Sequence, residues 1–194
     1  MEPLANKIRP TSLEGFVGQE HLVGKGKPLR EAIEQKHLFS FLLWGPPGSG
    51  KTTLARIYAN ALHAEFHELS AVDSGKEDIK KILDKKGQIK FDTRPKILFV
   101  DEIHRFNKAQ QDFLLPFVER GDLTLIGATT ENPSFEVIGA LLSRSRVFVL
   151  NELGEKEMEA IIKRTKLKVP KDAREWLIQV AQGDARQAIT VLEN

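Results

Sequence analysis

A chain of 194 residues can hold one sizeable core, or one domain and a small appendage. With 41% hydrophobic and 29% charged residues it has an ordinary globular composition, and no apolar run reaches the roughly 18 residues a membrane helix needs. A net charge of +2 permits nucleic acid as a partner without arguing for it, and the absence of cysteine excludes disulfides, cysteine-ligated zinc and a cysteine nucleophile.

The opening MEPLANKIRP has no signal-peptide apolar stretch, so a cytoplasmic location is expected. The first apolar run, FSFLLWG (39–45), predicts a buried strand. GPPGSGKTT (45–53) follows, and then a helical pattern over 51–62 with Leu54, Ile57, Tyr58, Ala61 and Leu62 on one face. FHEL (66–69) predicts a second strand. From Lys76 to Lys96 eight basic residues face four acids, a local net of +4, with Ile79, Ile82 and Leu83 on one helical side. KILFVDE (96–102) predicts a third strand, and 107–120 a helix in which Pro116 should cause a kink or an early end. LTLIGATT (123–130) and VFVL (147–150) complete five strands. After residue 150 the pattern turns wholly helical: GEKEMEAIIKRTK, KDAREWLIQVAQ and GDARQAITVLEN read as three helices. Strand alternating with helix predicts an α/β domain over 1–150, a parallel sheet sandwiched by helices. A small all-α lid is expected over 151–194.

The loop matches G-x-x-x-x-G-K-[ST] in the strand-loop-helix context the P-loop requires. Gly48 and Gly50 let the backbone approach an anion closely. Backbone N–H groups at the start of the helix then converge on a phosphate. Gly45, Pro46, Pro47, Gly48, Ser49, Gly50, Lys51, Thr52 and Thr53 form the expected binding loop. Lys51 supplies a point charge to the β- and γ-phosphates, and Thr52 a hydroxyl to Mg²⁺. In ILFVDEIH four apolar residues deliver Asp101 and Glu102 to a strand end. Asp101 is placed to hold Mg²⁺ and Glu102 to polarise a water, a pairing that favours hydrolysis of ATP over transfer. His104 reads as a locally packed or hydrogen-bonded residue rather than a catalytic one.

The P-loop, DEIH, GATT, SRS and GDAR, in that order, resemble the AAA+ ATPases of the clamp-loader group. GQEHLVGKGKPLREAI, FVDEIHRFNKAQQDFLLPFVERG and LIGATTENPSFEV look more closely like the replication-associated recombination protein A family, related to the Werner helicase interacting protein. The resemblance implies that Arg9, Val17 and Gly18 border adenine and ribose. It puts Thr130 at the sensor-1 position, Arg144 at an arginine finger acting in a neighbour's site with Arg146 as runner-up, and Arg186 at sensor 2. Ser70 falls near the position that restrains the catalytic acid in relatives.

The function implied is Mg²⁺-dependent ATP hydrolysis coupled to DNA at replication forks, in the cytoplasm and at the nucleoid, with no membrane partner. A single-strand binding protein is a partner class that the resemblance brings. The family forms homo-oligomers through a C-terminal helical region that this sequence lacks, so assembly is not carried over. Two other readings stand beside this one: a clamp-loader subunit acting on a sliding clamp, and a nucleotide-gated assembly module with little turnover. The basic stretch reads either as a solvated amphipathic helix or as a surface for DNA phosphates.

Overall fold

The computed structural model describes residues 2–84 and 94–193. Strands β1 (Phe41–Trp44), β2 (Glu65–Ser70), β3 (Lys96–Asp101), β4 (Thr124–Thr129) and β5 (Arg146–Val149) form one sheet in the order β2-β3-β4-β1-β5. All four pairings are parallel. The expected α/β P-loop fold is therefore present, and each expected strand lies within two residues of its sequence-derived bounds.

Alternation along the strands explains why both faces are apolar. Phe41 and Leu43 of β1, Ile97 and Phe99 of β3 and Ile126 of β4 enter one cluster. Leu42, Leu98, Val100 and Leu125 enter the other. Before β1 come three short helices, α1 (Leu4–Lys7), α2 (Glu20–Val23) and α3 (Pro28–Glu34). Helix α4 (Lys51–Ala61) follows β1 and packs in the first cluster through Leu54, Ile57 and Tyr58. Helix α5 (Lys76–Asp84) lies between β2 and β3 and buries Ile79 and Leu83 in the second cluster. Its outer side carries the ion pairs Lys80–Glu77 and Lys81–Asp78, both at 2.9 Å. Lys85, Lys86 and Lys90 of the basic stretch lie outside the described residues.

Helix α6 (Lys108–Glu119) begins with a reciprocal cap: Gln110 N donates to Asn107 Oδ1, and Asn107 N donates to Gln110 Oε1, each at 2.9 Å. Pro116 does not stop it, since the helix runs on to Glu119. The proline costs only the N–H that would have met the carbonyl of Asp112, and both residues face solvent. Water can take that carbonyl at little cost. Two single-turn helices, α7 (Pro133–Glu136) and α8 (Gly139–Leu142), connect β4 to β5. Beyond β5, α9 (Glu155–Arg164), α10 (Lys171–Ala181) and α11 (Ala185–Glu193) pack around Leu153, Met158, Ile162, Leu177, Ala181 and Ala188. These are the three helices the sequence predicts.

Tyr58 fixes α4 against the entrance to β1. Its ring is fully buried and meets Phe41 edge-on at 5.0 Å. Its hydroxyl donates to His37 O at 2.7 Å and accepts from Phe39 N at 3.1 Å. Burial pushes the phenol pKa up from 10.0 to about 12. The folded protein therefore holds this proton more tightly than the unfolded chain. That stabilisation is complete below about pH 10 and is lost as the pH rises through about 12. Tyr58→Phe keeps the ring but strands a carbonyl and an N–H. It should lower the unfolding free energy by about 1–3 kcal/mol in urea titrations, with the m-value unchanged.

Candidate nucleotide-binding site

The parallel sheet brings Trp44, Asp101 and Thr129 to one edge, with Trp44 in register with Thr129. β1 lies between β4 and β5, so the loop leaving it opens at a reversal of strand order, where ligands bind in open α/β sheets. Gly48 (φ 67°) and Gly50 (φ 102°) both occupy the left-handed region. Gly50 caps α4 without a side chain, which leaves the first N–H groups of an 11-residue helix directed at the pocket. A Cβ on Gly48 would lie 2.0 Å from Asp184 Oδ1, and one on Gly50 3.0 Å from the Phe16 ring. Side chains therefore cannot replace these glycines without moving the walls.

Four parts of the chain line the pocket. The N-terminal segment supplies Ile8, Arg9, Phe16 and Val17; the loop and α4 supply Pro47 through Thr53; β3 supplies Asp101 and Glu102; and the helices after β5 supply Ile161, Arg164, Arg186 and Ile189. Arg9, Val17, Lys51, Thr52, Asp101, Glu102 and Arg186 thus meet at one place. Gly45 and Pro46 contribute from behind: their carbonyls accept from Lys51 Nζ at 2.8 Å each. Gly18 stands beside the pocket, where a Cβ would lie 2.9 Å from Leu153 Cδ2.

The charges are dense. Burial pushes the Lys51 ammonium below its usual range, opposed by Glu102 and Asp101, and Arg186 adds to the lowering. Burial likewise lowers Arg9, with further lowering from Arg56 and Arg186. Arg186 therefore bears on both Lys51 and Arg9, so cations from three separate parts of the chain share the pocket.

Asp101 ends β3 and its Oδ1 accepts from Glu102 N at 3.2 Å. Glu102 leaves the strand in a left-handed conformation (φ 53°, ψ 46°). Asp101 thus ends the strand while Glu102 turns out of it. A non-glycine residue held there costs on the order of 1–3 kcal/mol and is found most often at functional sites. Among the described residues no group of three or more His, Asp or Glu side chains can hold a metal ion. Thr52 and Asp101 offer a hydroxyl and a carboxylate. That set fits Mg²⁺ that takes its remaining oxygens from phosphate and water, not a protein cage.

Some expected residues lie elsewhere. Thr130 is one residue past β4 and does not line the pocket; its carbonyl accepts from Trp44 Nε1 at 3.3 Å. The preceding Thr129 is fully buried, with its hydroxyl 2.9 Å from His104 Nδ1. Ser70 Oγ donates to Asp73 Oδ2 at 3.5 Å and makes no contact with Glu102. Arg144 is exposed and pairs with Glu119 at 2.5 Å. Arg146 stacks on Phe39, 4.8 Å from the ring centroid.

Three residues escaped the sequence reading. Gln19 is buried; its amide donates to Asn151 O at 2.8 Å and Ser49 O at 3.4 Å, and its carbonyl accepts from Asn151 N at 2.9 Å. Arg164 donates to Gly15 O at 2.5 Å. Asp184 accepts from Gln187 N at 3.0 Å and so caps the first turn of α11, which carries Arg186. Gln19 and Asp184 fall inside segments that carry the family resemblance, GQEH and GDAR, but nothing local in sequence marks a glutamine that bonds 132 residues away.

A P-loop at a strand-order reversal, with a carboxylate pair at the end of β3 on the far side of β4 and an arginine from the helices after β5, defines an NTPase nucleotide-binding domain. The chain belongs to the ATPase family associated with various cellular activities (AAA), whose model matches residues 41–154. It is similar to replication-associated recombination protein A of Haemophilus influenzae, at 48% identity over 98% of this chain and 45% of that protein. It is similar to the Escherichia coli K12 protein of the same name, at 45% identity over 99% of this chain and 45% of that protein. These relatives bear out the resemblance drawn from the sequence. The chain spans a little under half their length. Among solved structures it is similar to the RuvB Holliday junction branch migration motor of Thermotoga maritima, with a TM-score of 0.77 and 34% identity, covering 95% of this chain and 63% of that one.

Lys51→Ala removes a buried cation from the loop. Charge-assisted hydrogen bonds contribute about 1.5–3 kcal/mol, so ATP should bind roughly 10–100-fold more weakly by calorimetry. The melting temperature without nucleotide should change little, because Nζ holds only loop carbonyls.

Proposed function

We propose that this chain is the ATP-hydrolysing domain of a replication-associated recombination ATPase, coupled to DNA at replication forks. One observation carries the reading. Arg9, Lys51 and Arg186 converge with an uncapped helix N-terminus on a pocket whose floor holds Asp101 and Glu102. Cations crowded against their own burial require a polyanion, and two carboxylates beside them suit a metal and a water.

In this reading the loop N–H groups and Lys51 grip the β- and γ-phosphates, and Lys51 exchanges its two carbonyl partners for phosphate oxygens. Arg9, Phe16 and Val17 border the base and ribose. Thr52 and Asp101 hold Mg²⁺, which supplies charge neutralisation at the phosphates. Glu102 takes a proton from the attacking water. Arg186 reaches the phosphates from the lid, so hydrolysis is sensed by the helices that carry it. DNA coupling is supported by the name of the relatives, replication-associated recombination protein A; a single-strand binding protein as partner and a nucleoid location rest on the family resemblance alone.

The same reading gives Arg144 a role in a neighbouring subunit. Its pair with Glu119 is about 40% exposed on both sides. Such a pair is worth no more than about 1 kcal/mol, so exchanging Glu119 for a phosphate costs little. Arg146 would have to leave an aromatic ring.

Glu102→Gln should bind ATP normally and slow single-turnover hydrolysis by about 10²–10⁴-fold, with and without forked DNA. A rate within about twofold of the parent removes Glu102 as the base, since the loss implied is far larger.

Arg144→Ala should also bind ATP and hydrolyse it poorly, and turnover should depend on protein concentration. Mixed with Lys51→Ala subunits, it should recover part of the activity, because one kind of interface then pairs an intact loop with an intact arginine. No recovery in mixtures that sedimentation shows to co-assemble would exclude a finger at Arg144.

A further inference from the structure

Among the described residues Glu102 Oε2 is buried and has no hydrogen-bond partner, although the side chain as a whole is one-third exposed. A carboxylate oxygen without a partner is costly and calls for a physical reason. His104 Nδ1 lies 3.2 Å from it, close enough for an ion pair but outside hydrogen-bond geometry. The same Nδ1 lies 2.9 Å from Thr129 Oγ1. The imidazole is only 10% exposed, enclosed between the ends of β3 and β4.

One proton arrangement satisfies every contact in the network. Thr129 Oγ1 donates its single hydrogen to Glu131 O at 3.1 Å and accepts from Glu131 N at 3.0 Å. With that hydrogen committed, it can only accept from the ring, so Nδ1 carries the N–H. One N–H then faces two acceptors: the hydroxyl at the end of β4, which holds it, and the acid at the end of β3, which lacks it.

We infer that His104 is a positioning residue for Glu102: its single Nδ1–H passes from Thr129 to Glu102 Oε2 in the hydrolytic state and fixes the carboxylate toward the attacking water. A small ring rotation suffices, because both acceptors already lie within 3.2 Å. The exchange ties the readiness of the acid to the end of β4, the strand that leads into Thr130. A donor to one carboxylate oxygen also leaves the other free to accept the water's proton. This rests on the reading of Glu102 as the base.

Two measurements test it, and the first does not depend on turnover. Long-range ¹H–¹⁵N correlation of ¹⁵N-histidine-labelled protein, with His104 assigned by its loss in His104→Asn, should show the Nδ1–H tautomer. An Nε2–H tautomer overturns the inference whatever the activity. The second is kinetic. His104→Leu should lower kcat about 10–100-fold, the loss of one charge-assisted hydrogen bond, with KM for ATP within about twofold. His104→Asn, whose amide N–H can take the place of Nδ1–H, should restore most of kcat. In the Glu102→Gln background His104→Leu should add little, because coupled residues are not additive. A purely structural histidine would instead lower the melting temperature, raise KM, and add its full effect in that background; that result rejects the positioning role while leaving Glu102 as base. If Glu102→Gln itself turns over at the parent rate, the base assignment fails first and the inference falls with it.

Discussion

The structure turns on an electrostatic imbalance at the start of α4. An uncapped helix N-terminus, a buried lysine and two further arginines face one cavity, and burial works against their charge. Asp101 and Glu102 relieve Lys51 in part. Two carbonyls of the loop absorb its hydrogens meanwhile, from Gly45 and Pro46. These partners are neutral, so a phosphate oxygen, which carries charge, makes the stronger bond to the ammonium. The rest of the architecture serves this arrangement. β1 sits between β4 and β5, which sets the loop at a strand reversal, and β3 lies one strand away to deliver the acids.

The N-terminal segment is the part that joins the sheet to the lid. Gln19 bonds both to Ser49 in the loop and to Asn151 just after β5. His21 Nε2 lies 2.8 Å from Val149 O. Arg164 of α9 reaches Gly15, and Leu4 N donates to Glu193 Oε1 of α11 at 2.8 Å. Gly18 allows this packing, because any side chain there would strike Leu153. A single strap therefore touches the loop, the sheet edge and all but one helix of the lid. The segment that supplies Arg9, Phe16 and Val17 to the pocket is thus bonded both to the loop and to the helices after β5.

Strands and loop were legible in the sequence because their signals are local. Continuous apolar runs mark strands covered on both faces, and G-x-x-x-x-G-K marks a loop whose backbone must meet an anion. The carboxylate pair was legible for the same reason, at the end of the third run. Tertiary bonds were not. Gln19, Arg164 and Asp184 act on partners set by the fold, and a glutamine in VGQEH looks like any surface glutamine until Asn151 closes on it. Thr129 and Thr130 are adjacent and chemically alike, and nothing in the sequence shows that the first is fully buried beside His104. Pro116 does not end α6 early, because the proline and Asp112, whose carbonyl it leaves without an N–H, are both exposed.

The divergence of Asp101 and Glu102 joins local strain to function. Two neighbouring carboxylates on an extended strand would face opposite sides of the sheet, and one of them would enter an apolar layer. The left-handed turn at Glu102 ends the strand instead and begins the single turn Ile103–Arg105. Ile103 then fills the second cluster and keeps the turn in place, packing so closely on β4 that a Cβ on Gly127 would lie 3.0 Å from its Cδ1. The strain at Glu102 is thus held by the burial of the residue that follows it. Both acids stay at the pocket as a result, one along the strand and one turned out of it toward His104, so that one can serve a metal and the other a water.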